Sequence, residues 1–232
     1  MGLEVKNKMS SEAEVKRLWR SADAVCFDVD STVCCDEGLD ELANFCGVGS
    51  QVAEWTKKAM GGGVSFREAL QQRLNIVKPS QQHLSDFIAS HPPKLSPRIT
   101  ELISKLQQSN KKVFLVSGGF RDIITPVANL LSIPLDCVYA NRLIFNEDGS
   151  YAGFDLDEPT SESGGKPRVV GVIKRKYDLN TMIMIGDGAT DMEAVPPADA
   201  FIGYGGNVIR EKVRDNSHWF VTDFQQLIDE LS

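Results

Sequence analysis

Four short stretches of this chain carry residues able to do chemistry. Asp28-Val29-Asp30-Ser31-Thr32 sets two carboxylates two positions apart, and Ser117-Gly118-Gly119 offers a hydroxyl beside two residues without side chains. Ser163-Gly164-Gly165-Lys166 brings a lysine after two glycines, and Gly186-Asp187-Gly188-Ala189-Thr190-Asp191 adds two more carboxylates. In an extended backbone Asp28 and Asp30 point to one side. Two carboxylates so close repel and raise each other's proton affinity unless a cation lies between them. Asp187 and Asp191 could complete an oxygen-rich site, and magnesium suits one that also takes phosphate oxygens.

Three other readings of these stretches fail on single residues. A calcium loop beginning at Asp28 wants Gly at its sixth position and Glu at its twelfth, where Val33 and Leu39 stand. Gly186-x-Gly188 outlines a dinucleotide fingerprint, but Asp191 occupies the third glycine and would face the pyrophosphate. Gly165-Lys166 lacks the upstream glycine and the following Ser or Thr of a P-loop; Pro167 follows instead.

The elements that must position these groups follow from apolar periodicity. Ala24–Val29, Val113–Val116, Cys137–Ala140, Met182–Ile185, Ala200–Ile202 and Trp219–Val221 read as short strands. Asn141–Phe145 and Tyr151–Phe154 flank Asp148-Gly149 as a hairpin. Helical spacing covers Leu39–Cys46, Val52–Met60, Phe66–Leu74 and Leu84–Ile88, then Ile99–Leu106, Ile123–Leu131, Val169–Ile173 and Phe224–Leu231. The polar stretch through about Lys16 reads as frayed or as one surface helix. Strands alternating with helices predict an α/β fold, a doubly wound parallel sheet. The all-helical block predicts an inserted helical cap over 37–95, with 1–36 and 96–232 as the catalytic core. Ligands of such sheets sit beyond the carboxyl ends of the strands, where three of the four stretches fall.

Composition narrows the function. Of 232 residues, 25 are Lys or Arg and 32 Asp or Glu, a formal charge of −7 that argues against nucleic-acid binding. No apolar run approaches the ~18–20 residues that span a bilayer. The start has no apolar signal-peptide core, and Lys6 stands where a myristoylation motif wants Ser or Thr. Five cysteines, two of them the adjacent Cys34 and Cys35, do not make a disulfide framework. Zinc-ligand spacing is missing, and His83, His91 and His218 are scattered surface residues in this reading. A reducing, cytoplasmic setting is expected, with neither nucleic acid nor membrane as partner.

Taken in order, Asp28–Thr32, Ser117–Gly119, Lys166 and Gly186–Asp191 resemble motifs I to IV of the haloacid dehalogenase-type phosphatases, over about residues 24–220. Glu37-Gly38, Ala59-Met60-Gly61-Gly62, Phe66, Arg73 and Ser117–Arg121 resemble the branch of that family whose substrate is O-phospho-L-serine. The resemblance implies a Mg2+-dependent phosphomonoesterase with a Rossmann-like core, completing serine biosynthesis. Asp28 would be the nucleophile, forming an aspartyl-phosphate, and Asp30 the general acid and then base. Ser117 and Lys166 would grip the phosphoryl oxygens. Asp28, the backbone carbonyl of Asp30, and Asp187 would bind the metal, with Asp191 acting mainly through water or hydrogen bonds. Glu37 would pair with the substrate ammonium and Arg73 with its carboxylate, while Met60, Gly61, Phe66, Gly118 and Thr190 line the pocket. Pro167 departs from the small residue usual after that lysine, and biases Lys166 toward extended geometry. A homodimer is compatible with the resemblance. Two alternatives stay open: the same machinery on another small phosphomonoester or as a phosphotransferase, and a phospho-acceptor signalling module, which would not need a cap.

Overall fold

The short apolar runs present alternate residues to opposite sides, and each side has its own helices. A computed structural model describes residues 11–59 and 63–231. Its centre is a parallel sheet of β1 (Ala24–Phe27), β2 (Lys112–Phe120), β3 (Val138–Asn141), β6 (Met182–Gly186), β7 (Ala200–Tyr204) and β8 (Phe220–Val221), in the order β3-β2-β1-β6-β7-β8. A separate antiparallel hairpin joins β4 (Leu143–Phe145) to β5 (Tyr151–Phe154), with Gly149 in its turn at a φ of 79°.

Val25, Phe27, Leu115, Ile183, Ile185 and Ile202 face one cluster, while Ala24, Cys26, Phe114, Val116, Met182 and Met184 face another. Side chains alternate along a strand, so burying both faces requires an apolar residue at nearly every position. The first face is covered by α1 (Glu12–Ser21), α6 (Ile99–Gln108), α7 (Arg121–Leu130) and α11 (Gln225–Asp229). The second is covered by α8 (Gly165–Lys176), with α9 (Ala189–Met192) and α10 (Glu211–Asn216) beyond it.

Of the two readings of the stretch through Lys16, its described part takes the surface helix, docked by one face. Ser11 caps α1, and Val15 and Trp19 are buried, Trp19 with its ring nitrogen donating to the Leu227 carbonyl at 3.1 Å. The apolar i, i+4 pair in an otherwise charged segment is enough to dock that one face.

Between β1 and β2 run α2 (Gly38–Phe45), α3 (Gly49–Ala59), α4 (Phe66–Val77) and α5 (Gln81–Ser90). Ser65 and Ser80 accept from backbone N–H groups at the starts of α4 and α5, and His83 completes a capping box on α5. Leu39, Leu42, Leu70, Leu74, Leu84 and Phe87 form a third apolar cluster, and Leu143 and Phe154 of the hairpin belong to it. The hairpin is thus packed with these helices, although 52 residues, with α6, β2, α7 and β3, lie between Ser90 and Leu143.

Candidate active site

Parallel register brings the chemistry to one edge of the sheet. Phe27 lies level with Leu115 of β2 and Ile185 of β6, so Asp28, Ser117 and Asp187 follow within two residues of that line. The Asp28 amide still donates to the Ile185 carbonyl at 2.9 Å. Beyond it the chain turns out of the sheet, with Ser31 in the left-handed region at a φ of 55°. Asn207, after β7, donates to the carbonyls of Ser31 and Cys34 and to Ser96 Oγ, which fixes this turn.

Lys166 is nearly buried, its Nζ 2.8 Å from Asp28 Oδ2 and 2.5 Å from Asp191 Oδ1. It lies inside the first turn of α8 rather than in extended backbone. Pro167 is compatible with that because the first four N–H groups of a helix have no partner within it. Burial alone would lower the lysine's proton affinity, but Asp191 and Asp28 outweigh it and hold the ammonium above its ordinary value. Asp191 is fully buried and also accepts from the Gly188 amide at 3.0 Å. Burial first, then the Asp28 carboxylate, pushes Asp191 well up, and the same two causes raise Asp187.

One oxygen each from Asp28, Asp187 and Asp191 lies within 4.8 Å of the others, a group able to hold a metal ion. The carboxylate of Asp30 is not in that group. Its Oδ1 accepts from the Gly38 amide at 2.7 Å, and its Oδ2 faces Ser117 Oγ at 3.5 Å. Burial first, then Glu37 and Asp28, pushes Asp30 up to about 7. Gly119 leaves room for this carboxylate: a Cβ on it would stand 2.8 Å from Asp30 Oδ2 and displace it. Gly118 is equally constrained, since a Cβ there would meet the ring of Phe66 at 2.8 Å.

A cavity of about 720 Å³ opens over this edge, lined by Asp28, Asp30, Gly118, Lys166, Asp187 and Thr190 from the sheet side and by Glu37, Phe66 and Arg73 from α4 and the α2 start. Arg73 Nη2 lies 2.7 Å from Asp40 Oδ1, and its buried Nε has no hydrogen-bond partner among the described residues. Met60 and Gly61 lie outside the described residues. Ser117, of the expected phosphoryl ligands, is fully buried beneath the cavity and donates no farther than Asp30, while its Oγ accepts from the Gly119 amide at 2.9 Å.

Arg210 was not singled out by the sequence, yet it joins the two halves of the site. Its Nε donates to Asp187 Oδ2 at 2.6 Å and its Nη2 to Glu37 Oε1 at 3.3 Å, while Glu37 also accepts from Ser31 Oγ at 2.8 Å. Thr32 likewise donates to Asp187 at 3.2 Å. Arg210 follows Gly205-Gly206 after β7, on the carboxyl side of the sheet, and it is the order of β7 beside β6, not local spacing, that brings it to the site.

Comparison with known proteins agrees with this geometry. A family model of haloacid dehalogenase-like hydrolases matches residues 22–199. The chain is 57% identical over 223 residues to the phosphoserine phosphatase of Rattus norvegicus, covering 96% of this chain and 99% of that one. It is 56% identical, with the same coverage, to the phosphoserine phosphatase of Homo sapiens. Among solved structures, a phosphoserine phosphohydrolase-like protein from Francisella tularensis is 29% identical with a TM-score of 0.78, covering 90% of this chain and all of that one.

Proposed function

Because the chain belongs to the haloacid dehalogenase-like hydrolases, we propose that it hydrolyses O-phospho-L-serine to serine and phosphate through an aspartyl-phosphate on Asp28. The observation that carries the reading is the division of labour between two carboxylates two residues apart. Asp28 is held by the Lys166 ammonium and by the amide of its neighbour Val29, which fixes its carboxylate at the cavity for attack. Asp30 is turned away from that ammonium and keeps a proton near neutral pH. Environments that push two carboxyl groups apart assign one as nucleophile and the other as acid.

In the first step an Asp28 oxygen bonds to phosphorus, the ester P–O bond breaks, and the serine oxygen takes the Asp30 proton. In the second, Asp30 accepts a proton from water as the water oxygen bonds to phosphorus, and the Asp28 P–O bond breaks. Lys166 and the glycine-lined backbone after Ser117 stabilise charge on the phosphoryl oxygens, which is most of what a phosphoryl-transfer site does. Asp28 and Asp187, with Asp191 behind them, would hold Mg2+; hard oxygen donors fit that ion, which neutralises phosphate charge when bound. Glu37 and Arg73 would take the amino and carboxylate groups of the substrate, the unpartnered Arg73 Nε offering a donor for the latter. We take residues 37–95, with the packed hairpin, as a cap that closes over the substrate, in a cytoplasmic enzyme of serine biosynthesis.

Phosphate release from a panel of small phosphomonoesters tests the reading. Phosphoserine is expected to rank first, Arg73→Ala to raise its KM at least about tenfold, as loss of a charged hydrogen bond does, and Asp28→Asn to abolish turnover. A sugar phosphate ranking above phosphoserine would sink the substrate assignment, and normal turnover by Asp28→Asn would sink the covalent step.

A further inference from the structure

A second cavity lies behind the first. It has a volume of about 260 Å³, opens to solvent, and is lined by α5 and the segment after it on one side, α7 on the other, and the Val29–Asp30 turn at its base. Asp30 is the one residue, among those described, that lines both cavities. An apolar cavity of about 150 Å³ already accommodates benzene, so this one has room for an aryl group with a short chain.

Its walls are mostly hydrocarbon and aromatic. Ile88, Ile123 and Val127 face it, and Phe87 does so with the His91 ring stacked on it at 4.8 Å between centroids. The charged groups are unevenly signed. Asp30, Asp36 and Glu41 are acidic, against the single Lys94, whose Nζ lies 2.9 Å from Asp36 with its side chain 68% exposed. That pairing satisfies Asp36 and directs the lysine outward. Glu41 makes no ion pair within 4 Å among the described residues, and Lys94 feels its charge only after that of Asp36. Hydrocarbon walls, an aromatic face and this carboxylate together complement an apolar body bearing one positive charge.

We propose that this cavity binds a small organic cation, a primary ammonium on an aryl or alkyl body, with the ammonium on Glu41 and the body between Ile88 of α5 and Ile123 and Val127 of α7. A molecule so placed wedges the helical insertion against the sheet's covering helix. It adjoins the reaction centre through Val29, whose amide donates to Asp28, and through Asp30 and the Gly38 amide bonded to it. The site is separate from the phosphate-binding edge, because Lys166, Asp187 and Arg73 do not line it. The inference does not depend on which phosphate ester the chain hydrolyses.

Calorimetric titration of the full chain with 4-phenylbutylamine tests it, with 4-phenyl-1-butanol as the neutral isostere. Saturable binding of one amine per chain is expected, undiminished by inorganic phosphate, and about tenfold weaker both for the alcohol and for the amine with Glu41→Gln. Ile88→Trp, which fills the cavity from a partly exposed position, is expected to lose binding while its thermal midpoint stays near that of the parent. No saturable binding at millimolar amine, equal binding of amine and alcohol, or displacement by phosphate would each overturn the proposal.

Discussion

Asp28 and Asp30 differ less in sequence than in surroundings. One faces an ammonium, and the other faces Glu37 and a single backbone amide. The raised value of Asp30, about 7 against 3.8 for the free group, couples its proton to folding. A carboxyl that binds its proton more tightly when folded lends stability that is complete below the unfolded value and is lost as pH rises through the folded one. Glu37, Asp187 and Asp191 are shifted in the same direction, so their contributions have the same sign. The metal-free protein is therefore expected to lose about 1 kcal/mol or more between pH 6 and pH 8. Urea unfolding midpoints at the two values measure this, and Asp30→Asn should flatten the dependence; a stability that rises over that interval would contradict the arrangement. At this scale the sequence was informative where type and spacing coincide, as in Asp28, Asp30, Lys166 and the two glycines after Ser117. It was uninformative for Arg210, whose role depends on β7 lying beside β6, a fact of strand order that no local spacing carries.

Strands and helices were legible wherever an apolar period ran against a clear stop, and least so where one element's partner is remote. The unbroken apolar runs of β1 and β6 suit burial on both faces, and both faces are buried. β2 runs on to Phe120, past the glycines that were read as its end, since Ser117–Gly119 keep strand geometry beneath the cavity. The packing of β4 and β5 with the inserted helices had no sequence signal, because Leu143 and Phe154 look like any hairpin residues. Helix α1 is the clearest case. Its two buried side chains, Val15 and Trp19, are spaced as i and i+4 in a charged segment too short to hold a helix alone. Trp19 meets Trp219 edge-on at 6.4 Å and bonds to Leu227. Trp19→Ala is expected to cost about 3–5 kcal/mol, the usual range for emptying a buried aromatic position, with KM unchanged. Chemical denaturation and steady-state kinetics on the same preparation separate the two effects, and a raised KM would mean that α1 also shapes the cleft.

For the whole molecule, the formal charge of −7 conceals a local excess. Five carboxylates (Asp28, Asp30, Glu37, Asp187 and Asp191) meet two cations, Lys166 and Arg210, at the edge of the sheet. Arg210 holds Asp187 through a bond that a metal ion would share or replace. Binding to the folded state alone raises stability by mass action. Millimolar Mg2+ is expected to raise the thermal midpoint by about 5 °C, from one to two kcal/mol in a chain of this size. Chelation should reverse the rise and Asp187→Asn should remove it; an unchanged midpoint in the parent would speak against a metal held by this triad. No described helix is long and apolar enough to cross a membrane. The acidic balance thus has two ranges, a negative field over the surface that disfavours polyanions and, at the cleft, a group of three carboxylates able to hold a metal ion.

The contact between Trp19 and Leu227 spans 208 positions of sequence, and this separation has a consequence during synthesis. At about 5–20 residues per second, the amino-terminal helix leaves the ribosome roughly 10–40 seconds before the segment that covers it. Through that interval Val15 and Trp19 are exposed on the nascent chain, a hydrophobic target for any chaperone at the tunnel exit. β1 waits similarly for β6, and with it Asp28 waits for Asp187 and Asp191. A chain that has not yet reached Asp191 therefore lacks the third carboxylate of the acidic group and the second partner of the Lys166 ammonium.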